Sequence, residues 1–171
     1  MKTRVDGQIE QIDPAAGDAS RVNSSTAVSS RARLLDVCAA LLALVGLGDA
    51  VYLTVEHLTG ASLQCSITHG CAEVLGSRFA TIGRLPLASV GALAYFMVFS
   101  LATLSAFGYA GARKFLLPIV AIMFLFTLWL LYVQAFLLHA FCQYCLLSAA
   151  TTTLLTIVVI LQRLALRRAI T

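Results

Sequence analysis

The chain alternates long apolar runs with short polar ones. Four runs stand out: Leu34–Val55, Leu85–Phe107, Phe115–Leu138 and Cys142–Leu161. Each matches the about 20 mostly apolar residues a helix needs to cross a bilayer core. Charged or polar residues bound every run. Inside lipid each backbone amide must be satisfied within its own segment, so the runs predict helices rather than strands. The predicted fold class is therefore an all-α membrane protein, a bundle of four transmembrane helices. Pro86 falls at the start of the second run, where a missing amide donor costs nothing. Ser89, Gly91, Ala92 and Ala94 follow it. Small residues of this kind let membrane helices approach closely, and they would equally leave room for a flat ligand.

The polar segments complete the layout. Residues 1–30 are rich in Ser, Ala, Asp and Gly and hold no apolar stretch. They do not read as a cleavable signal, and they bury too little surface to fold alone. A disordered tail over 1–30 followed by one membrane domain over 31–171 is the expected division. Glu56 to Arg84 is the longest non-spanning stretch of that domain. Its first part, with Thr59, Gly60, Ser62, Gln64 and Ser66, is turn-like. Ala72–Leu75 predicts a short helix stopped by Gly76. Long loops in compact domains usually carry function, and this one predicts a structured cap over the bundle. The turn into the fourth run, two or three residues long, forces an antiparallel hairpin.

Apolar residues make up 60% of the chain and charged residues 12%, about half the charged share of a soluble domain. The net charge of +4 would suit nucleic acid, but the basic residues follow membrane topology instead. Arg31 and Arg33 precede the first run, Arg113 and Lys114 separate the second and third, and Arg163, Arg167 and Arg168 follow the fourth. The positive-inside rule then puts both termini in the cytoplasm. It puts the loop after the first run and the start of the fourth outside the cytoplasm, in a multi-pass protein of the cell (inner) membrane. No nucleic-acid partner is expected.

Four of the five cysteines fall on that outer side, where disulfides persist. Cys65 and Cys71 lie in the loop, with Gly70 available for a bend. Cys142 and Cys145 form a CxxC at the start of the fourth run. The amides and dipole of a helix N-terminus stabilise a thiolate. Cys145 lies one turn deeper on the same face, so Cys142 is expected to face the aqueous loop and Cys145 the apolar bundle. The tethered loop would let Cys71 reach Cys142 without a bimolecular encounter. Two other readings of the four cysteines stay open: structural disulfides, or four soft ligands for zinc or copper. His57, His69 and His139 are too scattered to strengthen a metal site, and none is assigned. Cys38 reads as a small packed residue. Asp49 interrupts the first run and is costly there, which makes it a functional candidate. Asp49, Tyr52 and Glu56 recur at helical spacing, giving that helix a polar wall turned to the bundle or the loop.

Taken in order, these residues resemble the vitamin K epoxide reductase family in its bacterial single-domain form. The resemblance rests on Gly48-Asp49-Ala50-Val51-Tyr52-Leu53-Thr54, the pair Cys65/Cys71, Gly83-Arg84-Leu85-Pro86-Leu87-Ala88-Ser89-Val90-Gly91 with Tyr95, and Phe141-Cys142-Gln143-Tyr144-Cys145-Leu146. The order is the reverse of the DsbB family, where the CxxC lies in the first outer loop. The resemblance implies a four-helix bundle around a quinone, menaquinone or ubiquinone. Cys145 would pass electrons to the quinone, Cys142 would exchange with Cys71, and Cys65 would meet a separate extracytoplasmic thioredoxin-like (DsbA-like) protein. Ser89, Tyr95, Gln134 and His139 are the candidate quinone-pocket residues. The expected activity is oxidation of the partner's dithiol coupled to quinone reduction, in support of disulfide formation. The alternatives are thiol-driven reduction of a quinone or of vitamin K epoxide, and a non-enzymatic metal-binding or stapled protein. Vertebrate members carry Tyr four residues after the second CxxC cysteine, where this chain has Ala149. Asp49 also departs from the small or neutral residue expected there.

Overall fold

The computed structural model describes residues 14–59, 71–77, 80–82 and 85–168. Its elements are α1 (Pro14–Thr59), α2 (Cys71–Gly76), β1 (Thr81–Ile82), β2 (Leu85–Pro86), α3 (Leu87–Ala106), α4 (Ala110–Tyr132) and α5 (Gln143–Arg168). A π-helical turn over Val133–Leu138 extends α4. Four stretches are long and apolar enough to cross a membrane: Ser30–Thr59, Leu87–Ala106, Gly111–Leu138 and Gln143–Arg167. They coincide with the four predicted runs and make this an integral membrane protein. The fourth begins at Gln143, leaving Cys142 just outside it. Where composition predicts a disordered tail, α1 already runs from Pro14. Extending an existing helix avoids the nucleation cost and needs no burial.

The bundle closes as a ring, with α1 against α3 and α5, and α4 against the same two. The α1 face turned inwards is a stripe of small residues, Ala39, Ala43, Gly46 and Ala50. Tyr95, Val98 and Ala102 of α3, Leu116 and Val120 of α4, and Leu155 and Val159 of α5 fill the centre. Large apolar side chains such as Leu41, Phe96, Ile122 and Leu154 point outwards, as a lipid-facing surface requires. At Gly46 α1 and α3 approach closely: a Cβ there would run into the Tyr95 ring. Pro118 within α4 has no amide to offer the Lys114 carbonyl, and Arg163 Nη2 donates to that oxygen instead, at 3.3 Å.

A buried polar cluster locks the bundle end remote from the CxxC. Asp36 is fully buried. Its Oδ2 accepts from Arg113 Nη2 at 2.9 Å, and its Oδ1 from Ser105 Oγ at 2.7 Å and from Gln162 Nε2. One residue from each of the four spanning helices therefore meets at a single carboxylate. At the opposite end, α2 packs over the start of α5, as the predicted short helix before Gly76 requires. Cys71 and Val74 form a small buried cluster with Ala140 and Cys142. An unpredicted antiparallel pair, Thr81↔Pro86 and Ile82↔Leu85, leads the chain into α3.

Candidate active site

Chain reversal between α4 and α5 builds the first part of the site. The π-helical turn ends at His139, whose backbone is left-handed (φ 49°, ψ 29°). Histidine tolerates that region better than most residues. The His139 and Ala140 amides both donate to the Gln134 carbonyl. The Gln134 side chain then reaches the next orphan: its Oε1 accepts from the Cys142 amide at 3.2 Å. Gln134 is buried, so this bond fixes Cys142 without competition from water.

Cys142 occupies the cap position of α5, with its carbonyl taking the Leu146 amide at 3.0 Å. Its sulfur accepts from the Tyr144 and Cys145 amides, as a capping side chain does. The Cys145 side chain hydrogen-bonds to the same sulfur. That bond is the largest influence bringing the Cys142 thiol down to about 7. The two amides act in the same direction, against burial and the charge of Asp49. Cys142 and Cys145 are free thiols, whereas Cys71 is disulfide-bonded. Cys142 Sγ stands 3.6 Å from Cys71 Sγ, and both residues are fully buried. Sequence reasoning expected Cys142 to face water. Instead α2 covers it, so the Cys142 sulfur meets a disulfide sulfur in a dry contact. Cys65 and His69 lie outside the described residues.

Cys145 looks the other way. It lines a partly open cavity of about 150 Å³ bordered by α1, α2, α3, the end of α4, the π turn and α5. An apolar cavity of about that volume holds one benzene ring. Leu53, Val74, Leu87, Leu130, Leu131, Leu138 and Ala149 supply much of the apolar wall; Asp49, His57, Gln134 and Tyr95 are among its polar residues. Tyr95 presents its ring rather than its hydroxyl. That hydroxyl donates to the Ser148 carbonyl at 3.0 Å and shares hydrogen bonds with Ser148 Oγ and Thr152 Oγ1, at 2.9 and 2.8 Å. Tyr95 thus ties α3 to α5 across Gly46.

Two of the four candidate pocket residues, Tyr95 and Gln134, line this cavity; Ser89 and His139 do not. The Ser89 hydroxyl donates to the Pro86 carbonyl at 2.7 Å, in the first turn of α3. His139 is exposed at the hairpin. The polar wall of α1 divides: Asp49 faces the cavity, while the Tyr52 ring meets that of Tyr144 at 5.3 Å, tilted by 43°. Sequence reasoning missed Ser148 and Thr152, which read as ordinary helix hydroxyls, and Gly46, whose signal was its place in the stripe with Ala39 and Ala43. Among the described residues no group of three His, Cys, Asp or Glu side chains is placed to hold a metal ion.

A thiol pair split between a disulfide on one side and an apolar ring-sized cavity on the other is the arrangement of a membrane redox protein. The family model described as the vitamin K epoxide reductase family matches residues 37–160, which include Cys71, Cys142, Cys145 and the cavity wall. With most of its length inside that match, the chain belongs to the vitamin K epoxide reductase family.

Proposed function

We propose that this protein oxidises the dithiol of a thioredoxin-like partner outside the cytoplasm and passes the electrons to a membrane quinone, menaquinone or ubiquinone. Membership of its family makes it a membrane oxidoreductase of the quinone-related kind. The observation that carries the finer reading is the 3.6 Å contact between Cys142 and the disulfide-bonded Cys71, with Cys145 on the wall of an apolar cavity. The basic residues favour both termini in the cytoplasm and the cysteines on the outer side, beneath a loop that caps the bundle.

In this reading the partner's dithiol reduces a Cys65–Cys71 disulfide and leaves as a disulfide. The Cys71 thiolate then attacks Cys142 of an oxidised CxxC, a Cys71–Cys142 bond forms, and Cys145 departs as thiolate. Cys65 attacks Cys71 and restores the loop disulfide, leaving Cys142 and Cys145 reduced. That final distribution, Cys71 oxidised and the CxxC reduced, is the one in the structure. Such exchange needs only proximity and alternation of thiolates. A quinone at the cavity supplies an acceptor for two electrons and two protons. The cavity has room for one six-membered ring, the quinone ring that would meet Cys145, with the rest of the head and its tail on the open side; its wall is largely apolar with one thiol on it. Gln134 holds Cys142, and α2 keeps water from the reacting sulfurs. Ala149 gives the wall no hydroxyl where vertebrate relatives have Tyr, which favours quinone over epoxide as acceptor.

The test uses purified protein in detergent with a quinone and a dithiol, followed by quinone absorbance. Wild type is expected to bleach the quinone, and Cys142→Ala or Cys145→Ala to lose at least a hundredfold in rate. Cys65→Ala is expected to block the protein partner while sparing small dithiols. Equal rates for wild type and Cys145→Ala would sink the reading, and equal loss of both substrates in Cys65→Ala would sink the relay order.

A further inference from the structure

The thiol relay leaves Asp49 without a part, although its position is costly. Both carboxylate oxygens of Asp49 are buried and have no hydrogen-bond partner among the described residues. Asp36, on the same helix, is the opposite case, a purely structural acid saturated by three donors. A buried carboxyl left unpaired is costly, and membrane-embedded acids are rare for that reason. Asp49 lies on the wall of the cavity that Cys145 also lines. Tyr95 cannot relieve it, because the Tyr95 hydroxyl is committed to Ser148 and Thr152. The other titratable lining groups are Cys145 of α5, Tyr95 of α3 and His57 of α1; α2, α4 and the π turn contribute none.

We propose that Asp49 is the proton carrier of the acceptor site, taking the proton of the Cys145 thiol and delivering it to the reduced acceptor. The inference rests on the reading of Cys145 as donor to a quinone. The Cys142 thiolate and the Cys145 thiol give up two electrons and one proton and become joined by an S–S bond. The acceptor gains the two electrons, that proton through Asp49, and a second proton from water, which replaces the one Cys142 shed on ionising. While the CxxC is reduced, Asp49 shares the Cys145 proton; once the acceptor has taken that proton and the S–S bond has formed, Asp49 is left as carboxylate. Tyr95 has its hydroxyl committed to α5 and His57 is only half-buried near the end of α1, so Asp49 is the lining group whose buried, unpaired oxygens are left to take the thiol proton.

Two measurements test this. Infrared difference spectra of the protein alone, CxxC reduced minus oxidised, are expected to show a protonated-carboxyl band that titrates with pH and vanishes in Asp49→Asn. A spectrum identical in Asp49→Asn would overturn the proposal. In single turnover with a short-chain quinone, Asp49→Asn is expected to slow CxxC oxidation at least tenfold and flatten its pH dependence, with Asp49→Glu restoring part of both. Exchange between Cys71 and Cys142 should still proceed in both variants, and no more slowly than wild type in Asp49→Asn, which loses a charge that opposes the Cys142 thiolate; this also shows that they fold. Wild-type single-turnover rates in Asp49→Asn would remove the proton role and leave Cys145 as donor. Failure of wild type itself to reduce the quinone would instead remove the underlying reading, while the infrared band would still report on Asp49.

Discussion

Cys142 shows how one residue acquires a chemistry its neighbours lack. The same sulfur is a helix cap, a hydrogen-bond acceptor for Cys145 and the contact partner of Cys71. Capping supplies two amides, and the helix N-terminus favours negative charge. The outcome is a thiol brought down from 9.0 to about 7, where thiolate and thiol are both populated at neutral pH. Nucleophilicity falls along with pKa, so a value near ambient pH is close to the best compromise for attack on a disulfide. The sign of the pH effect follows directly. The reactive form is the thiolate, and its fraction rises through pH 7 and then saturates. Exchange between Cys142 and the Cys71 disulfide is therefore expected to speed up roughly tenfold from pH 6 to 8 and to level off above. An unperturbed thiol would instead keep gaining past pH 8. Acid-quenched time courses with disulfide mapping by mass spectrometry measure this. Cys145→Ala, which removes the main stabilising bond, should move the midpoint to higher pH.

At the scale of elements, the site depends on how closely α1 and α3 approach. Gly46 leaves no side chain between them, and the Tyr95 ring fills that space while its hydroxyl grips α5. Gly46→Ala would place a methyl group well inside contact distance of the ring, and overpacking of this kind costs about 1–3 kcal/mol. The expected outcome is a lower thermal midpoint together with a slower acceptor reaction, because the displaced ring is part of the cavity wall. Cys71–Cys142 exchange, beyond the cavity, should change little. Thermal scans in detergent and the two half-reactions, measured separately, decide it; equal slowing of both would contradict the placement of Tyr95. The spans themselves were legible from sequence, since lipid leaves no choice but long apolar helices, and so was the short helix before Gly76. The pocket was half legible. Gln134 and Tyr95 read as ligand contacts because polar groups near a span's outer half invite that reading. Gln134 binds the Cys142 amide and Tyr95 spends its hydroxyl on α5, while Ser89 bonds within its own first turn. Such pairings depend on which helix faces which, and no period in one sequence encodes that.

Across the whole molecule the two ends of the bundle follow opposite logic. The CxxC end carries an unpaired acid, a reactive thiol and a cavity; the far end gathers α1, α3, α4 and α5 on Asp36. Sequence reading gave no hint of this clamp, because Asp36, Ser105, Arg113 and Gln162 each sit near a span's end, where polar residues ordinarily meet water. The clamp is asymmetric. Asp36 is 0% exposed, whereas the Arg113 side chain is 25% exposed. Removing Arg113 strands a carboxylate that has no path to water. Removing the charge of Asp36 leaves a guanidinium that turns outwards. Breaking a buried pair from the side that strands the charge costs about 3–5 kcal/mol; the loss from the other side is closer to that of ordinary hydrogen bonds, about 1 kcal/mol. Arg113→Met is therefore expected to lower the thermal midpoint far more than Asp36→Asn. The double variant should be more stable than Arg113→Met alone, since the stranded charge is gone. Strictly additive losses would mean that the pair is not coupled. Because the clamp lies at the far end of the bundle, folded Asp36→Asn protein should exchange Cys71 with Cys142 at the wild-type rate, which would separate the scaffold of this enzyme from its chemistry.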